Sequence, residues 1–112
     1  MMEKKQILQK VEEVRKTNFL NNKDIGSTNI KSLSAMVLNA DCYEEIELFI
    51  KYKTGKGNGW EKTLPNSKQK FGDFIINKIR EIKNASKDDK EAIKNISLFF
   101  GYLYWLKRGL EG

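Results

Sequence analysis

The sequence predicts an all-α fold: a compact single-domain bundle of about five or six helices spanning residues 1–112. Three observations carry this. Five segments repeat apolar residues at three- and four-residue steps, and none alternates like a strand. One proline and eight glycines leave few breaks between them. A chain of 112 residues has the length of one domain with one modest core.

The first helix is expected from about Glu3 to Thr17, with Ile7, Leu8, Val11 and Val14 at helical spacing. Asn21 to Ser27 is polar and reads as a loop. Ser27 or Thr28 can cap a second helix, whose inner face is Ile30, Leu33, Val37 and Ala40. Asp41 followed by Glu44 resembles a capping box opening a third helix. Its inner positions are Cys42, Ile46, Phe49 and Ile50, its early residues acidic and its late ones basic, as the helix dipole prefers. Gly55 is the expected stop.

Gly55 to Gly59 reads as a loop, anchored by a short turn from Trp60 to Leu64 that Pro65 ends. The fourth helix is expected from near Ser67, with a stripe of Phe71, Phe74, Ile75, Ile79 and Ile82. Ser86, Asp88, Asp89 and Glu91 mark the start of the last helix, which Gly109 should close. Ala92, Ile93, Ile96, Phe99, Phe100, Leu103 and Leu106 form its stripe. Tyr102, Tyr104 and Trp105 widen it, so this helix should be central or at an interface, with Trp105 packing in the core.

Composition narrows the chemistry. There is no histidine and one cysteine, which excludes an internal disulfide and disfavours zinc sites and histidine acid–base catalysis. Cys42 reads as a small buried hydrophobe. Glu12, Glu13, Asp41, Glu44, Glu45 and Glu47 could hold a metal, but capping and solvation account for them. The glycine-rich loop around Lys56 can cradle phosphate, although it lacks the P-loop pattern. No cofactor is expected. No apolar run is long enough to span a bilayer, and the N-terminal segment is amphipathic, which points to a cytoplasmic protein with no membrane partner.

A net charge of +6 favours a polyanionic partner. The cations group around Lys51, Lys53 and Lys56, along the fourth helix with Lys78 and Arg80, and at Lys107 and Arg108. Such groups neutralise phosphates without reading bases.

Three motifs carry a resemblance over most of the chain: Lys10-Val11-Glu12-Glu13-Val14-Arg15, Leu48-Phe49-Ile50-Lys51-Tyr52-Lys53 leading to a Gly/Lys loop and a Trp, and Trp105-Leu106-Lys107-Arg108 with Glu111. In order and spacing they resemble the small subunit of type III-B CRISPR interference complexes, the fifth protein of the Cmr module. Leu33-Ser34, Asp41-Cys42 and Gly109-Leu110 depart from that family's Leu-Pro, Gly-Leu and Phe-Ala. The resemblance implies a non-catalytic helical protein in antiviral defence. It would stack in a minor filament beside the other Cmr complex subunits and hold the crRNA–target RNA duplex on basic faces. Lys51, Lys53, Lys56, Lys78, Arg80, Lys107 and Arg108 are the residues expected to meet RNA. A type III-A small subunit, a helix-turn-helix DNA-binding regulator turning at Asn39-Ala40-Asp41, and a helical protein–protein adaptor are the other readings.

Overall fold

In the computed structural model, which describes residues 2–111, five α-helices follow one another along the chain. They are α1 (Lys4–Lys16), α2 (Ser27–Leu38), α3 (Tyr43–Lys56), α4 (Phe71–Ala85) and α5 (Asp89–Glu111), with a 3-10 turn at Phe19–Asn21. Among the described residues there is no strand, only an isolated bridge between Thr63 and Lys70. The radius of gyration is 13.0 Å, close to the ~13 Å of a compact domain this size.

The longest helix, α5, organises the bundle. It packs most extensively on α2 and also on α1 and α4, while α3 joins mainly through α4. One face of α5 presents Ala92, Ile96, Phe99, Phe100 and Leu103 to a continuous core, and all five are fully buried. Ile7 and Val14 of α1, Leu33 and Val37 of α2, Ile46 and Ile50 of α3, and Ile75, Ile79 and Ile82 of α4 complete it. These are the stripes that helical spacing selects. Leu8 is the exception on α1, being 47 % exposed.

Several boundaries move, each for a local reason. Helix α1 starts after Glu3, which forms a reciprocal capping box with Gln6. Gly26, not Ser27 or Thr28, is the N-cap of α2. Cys42 is the N-cap of α3, so it is half-buried rather than fully inside, and Tyr43 takes the core position. Helix α3 passes through Gly55 and stops at Gly57, whose φ of 114° suits only glycine. Helix α4 begins at Phe71, not Ser67. Residues 62–71 instead form a turned-back loop in which Leu64 N–H bonds Gln69 O, and Phe71 N–H bonds Lys62 O. Helix α5 continues through Gly109 to Glu111.

Two glycines allow close approach. A Cβ on Gly72 would lie 1.7 Å from Thr54 Oγ1, so α3 and α4 cross where one of them has no side chain. A Cβ on Gly59, whose φ is 96°, would lie 2.8 Å from the Asp24 carbonyl oxygen. There the Trp60 loop rests on the segment before α2, fastened by Lys62 Nζ 2.7 Å from Asp24 Oδ2. Trp60 is 1 % exposed and packs on Phe71, which stacks in turn on Phe19.

Candidate nucleic-acid interface

The seven cations expected to meet RNA fall into different environments. On α4, Lys78 bonds Glu13 of α1 and Glu81, and Lys10 of α1 also bonds Glu81. This network ties α1 to α4. Burial alone would lower the Lys78 pKa, and the two carboxylates reverse that, leaving it raised. Arg80 is exposed but paired with Glu47 of α3, so it bridges α3 and α4. Burial opposes ionisation of Glu47, yet Arg80 keeps that carboxyl below its usual range. The α4 cations are therefore engaged in holding helices together.

The expectation for Lys107 is corrected. Its side chain is buried, 3 % exposed, and its ammonium donates to the carbonyl oxygens of Leu20 at 2.7 Å and Asn22 at 2.8 Å. Two of its three N–H donors are thus turned onto backbone carbonyls inside the fold rather than presented outward. Four residues on, Glu111 accepts the Ser27 N–H at 3.3 Å, placing a carboxylate at the N-terminus of α2. Hydrogen bonding from Ser27, its hydroxyl first and its backbone N–H second, holds the Glu111 carboxyl below its usual range. The last turn of α5 thus fastens the connection between α1 and α2. Arg108 points outward, 3.5 Å from Glu111.

The group at the end of α3 stays together. Lys51 and Lys56 are exposed, and Lys53 is half-buried. Lys56 lies over the exposed Tyr52 ring at 5.7 Å, and Lys53 lies over Phe49 at 5.5 Å and Trp60 at 5.8 Å. Burial and the neighbouring Lys56 charge both push the Lys53 pKa down. Among the described residues only Lys51 of this group has a carboxylate in range, Glu47 at 3.8 Å, and Glu47 already serves Arg80. Two like charges with no carboxylate between them form a surface that an anion would relieve. The glycine loop adds no phosphate cradle, because Gly57 N–H bonds Lys53 O and Gly59 N–H bonds Glu61 Oε1.

Sequence reading also misplaced an aromatic surface. Trp105 is 69 % exposed rather than in the core. It stands beside Tyr102 and Tyr104 in a groove of about 500 Å³ between α2 and α5. The register could have shown this: Leu98, Gly101, Tyr102 and Trp105 are spaced i, i+3, i+4, i+7, a stripe of their own beside the core stripe. Lys107 likewise continues the core register four residues after Leu103.

The acidic residues do not assemble a centre. No group of three or more His, Cys, Asp or Glu able to hold a metal occurs among the described residues. Glu44 and Glu45 lie exposed in the first turn of α3, at the end a recognition helix would offer to DNA. No helix is long and apolar enough to cross a membrane. Comparison with protein-family models, with curated proteins and with solved structures returns no match to this chain.

Proposed function

We propose that this protein is a non-catalytic, RNA-binding small subunit of a type III-B CRISPR effector complex. It stacks on copies of itself, beside the other Cmr subunits, and holds the crRNA–target RNA duplex electrostatically. The observation that carries this reading is the α3 end, where Lys51, Lys53 and Lys56 gather around exposed Tyr52. The three sequence motifs supply the family, and the net charge of +6 supplies the polyanion. Leu48, 69 % exposed beside Glu44 and Glu45, is apolar surface suited to a neighbouring subunit. Sequence discrimination is left to guide pairing, so the cations need to track phosphates only.

The test is a salt titration of binding to a guide–target duplex, using the wild type and Lys53→Glu/Lys56→Glu. Each phosphate neutralised contributes about −0.7 to −0.9 to the log–log slope. The double variant should bind more weakly and with a shallower slope. A salt-independent affinity, an unchanged variant, or preference for one DNA sequence would refute the reading.

A further inference from the structure

The groove between α2 and α5 has a different character from the α3 end and shares no residue with it. Its walls are Leu98, Tyr102 and Trp105 of α5 with Tyr104 beside them, and its floor is small: Ser34, Ser97 and Gly101. The serines are engaged with each other, since Ser34 Oγ donates to Ser97 O and Ser97 Oγ to Ser34 O. Lys4 and Lys31 line the groove, and no acidic residue does. Lys31 sits 5.5 Å from the centre of the Tyr104 ring, and neither lysine belongs to an ion pair among the described residues.

Gly101 is the informative residue. It lies in the middle of α5, where glycine is unfavourable relative to alanine. Packing does not demand it, because a Cβ there would approach only Ser34 Oγ, at an ordinary 3.7 Å. Its absent side chain keeps the groove floor open. The Tyr102 ring meets Trp105 edge-on, with centroids 5.5 Å apart and planes at 60°, and does not stack on the indole. Exposed ring faces, an open flat floor and cations without carboxylates match a ligand that is both aromatic and anionic.

We infer that this groove seats an unpaired nucleotide of single-stranded nucleic acid, its base stacked on Trp105 and its phosphates facing Lys4 and Lys31. The lysines without carboxylates call for an anion, and the aromatic walls favour a stacked base over an acidic peptide, because aliphatic lining, which a peptide anchor would want, is limited to Leu98. This site goes beyond the duplex contact assigned to the α3 end, and it stands or falls separately.

The two tryptophans make the test clean, because Trp60 is buried and Trp105 is not. A uridine hexamer should quench the exposed indole, whereas an abasic ribose-phosphate hexamer of equal charge should not. By anisotropy of labelled hexamer, Trp105→Ala should weaken binding roughly 5- to 160-fold, as loss of one stacking contact does. Gly101→Leu, which fills the floor, should weaken it comparably while the thermal melt holds. Trp105→Ala and Gly101→Leu should leave the salt-dependent affinity for the guide–target duplex as in wild type, so failure of the α3-end reading is seen apart from failure here. Equal binding of the abasic hexamer, or unchanged hexamer affinity in both groove variants, would overturn the inference. So would quenching that follows protein concentration without RNA, which would assign the groove to a second copy or another protein surface.

Discussion

The two tryptophans occupy the opposite of what their neighbourhoods suggest. Trp60 stands in a loop between glycines and lysines, and it is buried. Trp105 stands in the most aromatic helix of the chain, and it is exposed. The difference lies in what covers each ring. The loop folds back on itself, with Gly72 N–H bonding Trp60 O, and so brings Phe71 over the indole. On α5, neighbouring helices take the face carrying Phe99, Phe100 and Leu103, and none of the described residues closes over the next face around. Local hydrophobicity measures how much apolar surface exists. Register and chain reversal decide which part is buried.

The sharpest way to break this comparison is to delete each ring. Trp60→Ala should cost roughly 3–5 kcal/mol, as large aromatic deletions from a core do. Trp105→Ala should stay within about 0.5 kcal/mol, as exposed substitutions do. Chemical denaturation of both variants reads the pair, and similar losses would show that the α5 groove is packed in solution.

The next largest effect belongs to the α3–α4 crossing under the Trp60 loop. Gly72→Ala drives a methyl into Thr54, and overpacking of this kind costs about 1–3 kcal/mol or more. Adding Thr54→Ala should recover part of the loss, since the closest clash is with the Thr54 hydroxyl. A Gly72→Ala protein that melts like wild type would mean the helices can separate freely there.

Adjacent cations give the same contrast on a smaller scale. Lys107→Met keeps the stem but strands the carbonyls of Leu20 and Asn22, which should cost about 1–3 kcal/mol. Arg108→Met, at an outward position, should fall within about 0.5 kcal/mol. Equal melting temperatures for the two variants would refute the role given to Lys107.

The fold was largely legible because its cause is periodic. Ile75, Ile79 and Ile82, or Ile96, Phe99 and Leu103, declare a buried face by spacing alone. The boundary at Gly57 was not, because Gly55, Gly57 and Gly59 all offer a stop by composition, and that at Phe71 was not, because it depends on bonds between loop residues, such as Leu64 to Gln69. The candidate site was legible in part. Lys51, Lys53 and Lys56 sit within two turns of one helix, so their proximity follows from sequence. The pairing of Lys78 with Glu13 and of Arg80 with Glu47 spans 65 and 33 residues, and no local pattern contains it. Lys107 was misassigned because charge was weighed above register.

The smallest expected effect concerns acid, and it compares the interhelical pairs with the bare lysines of the α3 end. Glu81 loses ionisation to burial, but Lys10 and Lys78 overcome this and hold its carboxyl below the ordinary 4.5. Glu47 and Glu111 are lowered as well. A carboxyl with a lower pKa in the folded state binds fewer protons than in the unfolded chain. Its stabilisation is complete above about pH 4.5 and disappears as pH falls through the folded value. Glu81 and Glu111 are partly solvent-exposed, so their contributions are small, and Glu47 is the most shielded of the three. The melting temperature should hold from neutral pH down to about 5 and decline below 4.5. Glu81→Gln should melt slightly lower at neutral pH and show a shallower acid decline, because the carboxyl that Lys10 and Lys78 hold low no longer titrates. Lys53→Glu/Lys56→Glu should alter RNA affinity without removing that decline. An acid limb identical in wild type and Glu81→Gln would mean that the ion pairs of Glu81 add nothing to stability.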